Sequence, residues 1–191
     1  MMEFSSSAFL MFVFRWIHFL AGITWIGLLY FFNLVNVPYT KIAEPKDRAA
    51  HVPKLMPIAL AWFRHTAWVT VLAGFGLIYL WYWRNGDFIS SNSAKTIFMG
   101  MLLGLVMLFN VWVFIWPNQK KVIEATLKGE KADPQWGKTA LYASRTNFVL
   151  SFPMLLYMGS ASHTPLDWLW IVITGVIAAA IAGALVLYVQ K

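Results

Sequence analysis

Five ionisable side chains, Arg15, His18, Arg64, His65 and Arg145, stand inside otherwise apolar runs of this sequence. A charge in hydrocarbon is costly, so each of them calls for a partner, a cofactor or a wet cavity. The histidines carry the most specific chemistry. A neutral imidazole is a good iron ligand, and histidines facing each other from adjacent helices can hold a b-type haem. Arginines suit the anions of such a site, whether haem propionates, an anionic substrate or a lipid phosphate.

Spacing sharpens the reading. At about 100° per residue, Arg15, His18, Gly22, Trp25, Leu29 and Asn33 fall within about 80° of one another. Such a narrow stripe of polar and small residues is expected to face the protein interior rather than lipid. His18 lies about ten residues into its helix, roughly 15 Å deep, and His65 about eight residues into the next, roughly 12 Å from the opposite side. In a hydrocarbon core about 30 Å thick the two rings are expected at similar depth. Gly22, Ala73 and Gly76 would leave room for a flat macrocycle. The plainer alternatives are an interhelical hydrogen bond for His18 and snorkelling to the interface for Arg64 and His65. Asn110, Arg145 and Asn147 are expected at the depth of Arg64, where an arginine can equally bond lipid headgroups. His51 and His163 fall in loops and are expected to be solvated. The candidate cofactor-binding set is therefore His18, His65, Arg15, Arg64, Arg145 and Asn110, with His18 and His65 as metal ligands.

These residues need helices to hold them. Of the 191 residues 60% are hydrophobic and 12% charged, more apolar surface than a small soluble globule can hide. Several apolar runs exceed the roughly 18 residues of a spanning helix and lack strict two-residue alternation, which favours helices over a barrel. The expected fold is all-α: a polytopic bundle of about five transmembrane helices at about 8–34, 57–83, 95–116, 141–159 and 166–189, in one domain. Pro117 is expected to end the third helix and Pro153 to kink the fourth. The first and third loops together hold nine Lys or Arg. The positive-inside rule then puts the N-terminus outside and the C-terminus in the cytoplasm. Trp81, Tyr82, Trp83, Trp116, Trp168 and Trp170 suit an interfacial belt. The start, Met1 to Ser7, lacks a basic stretch and a cleavage site, so helix one is expected to be its own insertion signal.

Several functions are disfavoured. With no cysteine, the chain has no disulfide, iron–sulfur cluster, thiolate zinc site or c-type haem attachment of its own. The net charge of +7 is carried mostly by loops and is read as topology, not nucleic-acid binding. There is no phosphate-cradling glycine loop and no H-E-x-x-H. Aspartate and glutamate are absent from the apolar runs, which argues against a cation pump built on a buried carboxylate. Gly100-x-x-x-Gly104, and Gly175, Ala179 and Gly183, make small-residue faces. Packing within the chain is the favoured reading of both, with a homo-oligomer as the other.

The run Arg15-Trp16-Ile17-His18, followed by Gly22-Ile23-Thr24-Trp25-Ile26-Gly27, resembles the first helix of the membrane domain of bacterial membrane-bound urate hydroxylase, the urate oxidase N-terminal family. Trp62-Phe63-Arg64, Asn110-Val111, Pro117-Asn118-Gln119-Lys120, Gly129, Asp133-Pro134, Asn147, Pro153 and His163-x-Pro165 follow in the same order. Helix one also resembles the haem-binding HemJ-type protoporphyrinogen oxidases, which implies a haem-ligand role for His18. The chain departs from the urate hydroxylase pattern at His65-Thr66, near Met99 and at Arg145-Thr146-Asn147-Phe148, and it carries no cytochrome tail.

The resemblance and the stripe together lead to an expectation. The chain is a b-haem-associated redox protein of the bacterial inner membrane, embedded in the lipid bilayer, with an electron partner such as a cytochrome c on a separate chain. The alternative is a cofactor-free accessory subunit of a larger respiratory or oxidative membrane enzyme complex. A transporter is disfavoured, because there is no inverted repeat and no Gly/Pro-broken helix pair.

Overall fold

The computed structural model of the chain describes residues 6–190. The signal-peptide reading of Met1 to Ser7 therefore falls mostly outside the described residues. Within them the regular structure is all helical and forms five long rods. They are α1 (Ser6–Ile42), α2 (Pro45–Trp81), α3 (Asn92–Leu127), α4 (Pro134–Ser160) and α5 (Trp168–Gln190).

Helices α1, α2, α3 and α5 are long and apolar enough to cross a membrane. α4 is not among them. Its 27 residues would reach about 40 Å at 1.5 Å per residue, but Ser144, Arg145, Thr146 and Asn147 interrupt its apolar character. It keeps its polar side chains inward instead, with Asn147 and Ser151 fully buried among the other helices.

The rods are longer than the hydropathy pattern predicts, for a local reason. α1 does not stop near Leu34 and α3 does not stop at Pro117. Each passes through a wider π-helical turn, Phe31–Asn36 in α1 and Val111–Ile115 in α3. There the Val37 and Trp116 N–H groups reach back five residues, to the Phe32 and Val111 carbonyls. Proline follows at once in both, as Pro38 and Pro117. A proline ring normally strikes the carbonyl four residues before it and removes a hydrogen bond. The wide turn takes up both defects, so the helix continues to Ile42 and to Leu127. α2 begins at Pro45, because Pro45 supplies a preset first turn. Much of the expected first loop, including His51, is thereby helical. α4 runs unbroken through Pro153, and the Asp133 side chain caps its start by accepting from the Gln135 N–H at 2.8 Å.

The helices pair closely as α1 with α2 and α3 with α4, while α5 lies along α4. The two pairs are joined toward one end by a packed cluster of Trp25, Leu29, Phe63, Met107, Val111 and Ile123. In lipid such contacts stabilise through close packing rather than water exclusion. The basic stretches lie toward this end, beyond the cluster, at the Ile42–Pro45 and Leu127–Pro134 connections. Toward the other end, where the chain turns between Trp81 and Asn92 and between Ser160 and Trp168, the pairs diverge around a cavity.

The small-residue faces are partly used inside the chain. The Tyr157 hydroxyl donates to the Ile171 carbonyl at 2.6 Å and sits where a side chain on Gly175 would be. Gly100 receives Tyr157 and Met158. Gly104 and Gly183 face open space.

Candidate functional site

The predicted helix-one stripe faces inward over its second half, while Arg15 at its start is exposed and His18 half-buried. Trp25, Leu29 and Asn33 are buried, and Gly22 lies against Thr70. His18 and Arg15 line a cavity of about 1040 Å³ between the two helix pairs, near the upper end of the usual range for ligand pockets.

His18 is tied to the opposite wall of its own pair. Its Nδ1 lies 2.8 Å from the Thr70 carbonyl oxygen. A carbonyl can only accept, so Nδ1 carries the proton and Nε2 keeps its lone pair. Close approach of the ring to α2 depends on a glycine. A Cβ on Gly74 would stand 3.1 Å from Cε1 and 3.2 Å from Nδ1 of His18. Gly74, not Gly76, therefore makes room at the histidine, and Gly76 accommodates the ring of Phe14.

Arg15 stands one turn nearer the cavity mouth. Its guanidinium carbon lies 5.6 Å from the centre of the Trp81 ring, a cation–π contact. Ion pairs among the described residues join Lys46 with Glu44 and Lys120 with Glu124, and none involves Arg15. Its charge remains free to meet an anion. The rim is bound together by polar contacts. Ser93 Oγ donates to the Ala161 carbonyl at 2.7 Å and so receives the Tyr82 hydroxyl, also at 2.7 Å.

His65 is not at this cavity. It is exposed, accepts from Arg64 Nε at 3.3 Å, and packs edge-on toward Trp112. His65 and Thr70, which bonds His18, are five residues apart, about 8 Å along the axis, so the two histidines are not level. Five residues also turn the helix by about 140°, which sends His65 to another face. Arg64 goes with it, its guanidinium carbon 3.7 Å from the Trp116 ring centre. Arg145 is half-buried on α4 and does not line the cavity. Asn110 also lies elsewhere, donating to Asn147 Oδ1 at 2.8 Å, while Asn147 donates to the Met107 carbonyl at 2.9 Å. That pair pins α3 to α4 within the packed half.

The cavity also gathers residues the sequence did not single out. His163 is exposed in its turn, as the sequence suggests, and also lines the cavity, together with Tyr82, Ser93 and the thioether side chains of Met101, Met154 and Met158. Only the fold of the Ser160–Trp168 turn brings His163 there. The sole hint in sequence is its place in the His163-x-Pro165 motif.

Among the described residues no three His, Asp or Glu side chains gather to hold a bare metal ion. A macrocycle that brings its own four nitrogens needs only one or two protein ligands. A lone-pair nitrogen on an apolar wall, with an unpaired cation near the mouth, fits such a group.

No curated protein and no solved structure matches the chain. The family model described as urate oxidase N-terminal matches residues 87–190. The match takes in the Asn110, Asp133-Pro134, Asn147 and His163-x-Pro165 positions, and helix one lies ahead of it. Since more than half of the sequence is matched, the chain belongs to the urate oxidase N-terminal family.

Proposed function

We propose that this chain is a membrane oxidoreductase component that holds a b-type haem in the cavity between its two helix pairs. The observation that carries the reading is the His18–Thr70 contact. A ligating histidine commonly donates its other ring nitrogen to a backbone carbonyl, which fixes the tautomer and aims the free lone pair. Bound haem would supply one-electron redox chemistry. His18 would hold it through the free ring nitrogen, and Arg15, steadied by Trp81, would bind a propionate or an anionic substrate. The apolar walls would exclude water and hold the macrocycle edge to edge.

The family name supports an oxidative role. An electron acceptor such as a cytochrome c would be a separate chain, with no c-type haem anchored on these 191 residues, which hold no cysteine. The membrane would be the bacterial cytoplasmic one, with the basic connections inward and the cavity opening toward the other face.

The test is a pyridine haemochrome assay on detergent-purified wild type and His18→Ala. About one haem per chain in wild type and a large loss in the variant are expected. A haem-free wild type that co-purifies with a larger membrane enzyme would favour the accessory-subunit reading instead.

A further inference from the structure

We propose that His163 is a second protein ligand to the haem iron, beside His18; the proposal rests on the haem reading above. His18 and His163 line one cavity from different elements, α1 and the turn between α4 and α5. Both rings have Nδ1 on a backbone carbonyl, although the His163 ring is exposed and its Nδ1 also lies 3.1 Å from the Ser162 hydroxyl. His163 Nδ1 lies 2.9 Å from the Gly159 carbonyl oxygen, as His18 Nδ1 lies 2.8 Å from that of Thr70. Each carbonyl takes the Nδ1 proton and leaves an Nε2 lone pair, the state an iron ligand needs.

The turn that carries the exposed His163 is also tied to α3. Ser93 Oγ donates to the Ala161 carbonyl at 2.7 Å on one side. On the other, Thr96 Oγ1 donates to the Asn92 carbonyl of its own helix at 2.7 Å and accepts from the Leu166 N–H at 2.9 Å. Two clamps from α3 thus hold a short turn whose one imidazole stands at the cavity. His65, the other candidate, is on a different face with its Nε2 engaged by Arg64.

Absorption and electron paramagnetic resonance spectra of the purified full chain test this. Wild type is expected to be six-coordinate and low-spin. His163→Ala is expected to become five-coordinate and high-spin, and millimolar imidazole to restore the wild-type spectrum. Should His163→Ala lose the haem, His163→Met offers a thioether instead. It is expected to keep six-coordination with a raised reduction potential, as His/Met ligation does. His65→Ala is expected to leave the spectrum unchanged.

A low-spin spectrum retained in His163→Ala, a change appearing in His65→Ala instead, or failure of both imidazole and methionine would overturn the proposal. Haem-free wild type would remove the haem reading and this ligand together. Haem that depends on His18 but is indifferent to position 163 would remove this ligand alone.

Discussion

The imidazole of His18 and the backbone carbonyl of Thr70, 52 residues apart in sequence, meet at 2.8 Å across the α1–α2 interface. The bond uses one ring nitrogen and the backbone, not a side chain, so the other nitrogen and the cavity beside it are left for a ligand. Substitution of Thr70 cannot remove the bond directly. Its disruption has to come from the space the ring occupies.

Gly74 controls that space. A Cβ there would meet the His18 ring at 3.1 Å, closer than ordinary packing allows, and valine would add two methyl groups. Gly74→Val is expected to displace the ring and weaken haem retention about 10- to 100-fold, the usual cost of losing the group that orients a ligand. Haem titration monitored by absorbance, with circular dichroism to confirm intact helices, checks this. Unchanged affinity would show that the ring position does not matter.

The glycines of α5 separate internal packing from a contact between chains. Gly175→Val would strike the Tyr157 side chain and disturb its bond to the Ile171 carbonyl. A loss of about 1–3 kcal/mol in unfolding free energy is expected from overpacking. Gly183→Val meets nothing within 4 Å and is expected to leave the isolated chain's stability unchanged. Thermal unfolding in detergent distinguishes the two. A large loss at position 183 would point to a second copy packed there.

Asn147 is a buried hydrogen-bonding centre between α3 and α4. Asn147→Ala leaves the Asn110 amide without its 2.8 Å acceptor and the Met107 carbonyl without a side-chain donor. Interhelical hydrogen bonds of this kind are worth about 0.5–2 kcal/mol in membranes, and a decrease of that size is expected in denaturant unfolding. The haem spectrum is expected to persist, since this pair lies outside the cavity.

Asp87 gives the exposed turn before α3 a pH dependence. Hydrogen bonds from Ser90 and Ser91 hold its carboxyl down to about 2, from an ordinary 3.8. The ionised carboxylate is therefore the form the folded turn favours. Its contribution is complete above about pH 3.8 and is lost as pH falls toward 2. A carbon-13 NMR titration of this carboxyl is expected to show a midpoint well below 3.8. A midpoint at the ordinary value would mean that the serine contacts do not hold in solution.

The sequence made the inward stripe of α1 readable because six residues at helical spacing carry it, and the structure puts Trp25, Leu29 and Asn33 in the interior. Depth was less legible: His65 lies about 8 Å along α2 from Thr70, the residue His18 meets. Azimuth across two helices was not legible. The pairing of His18 with His65 needed a face of α2 that belongs to Thr70 and Gly74. The helix ends expected near Leu34 and at Pro117 fail, because a π turn leaves no mark in hydropathy. His163 was hidden for another reason: a turn residue has no periodicity, and its position depends on Ser93 and Thr96 far away in the chain. The polarity of α4 was visible, but only packing shows that Asn147 and Ser151 turn that polarity inward.

The haem reading requires that His18 hold an iron-bearing macrocycle. The dithionite-reduced minus oxidised absorption spectrum of the purified protein tests it most directly. A b-type difference spectrum in wild type that disappears in His18→Ala is the predicted result. A flat difference spectrum, or one that His18→Ala leaves intact, would contradict it.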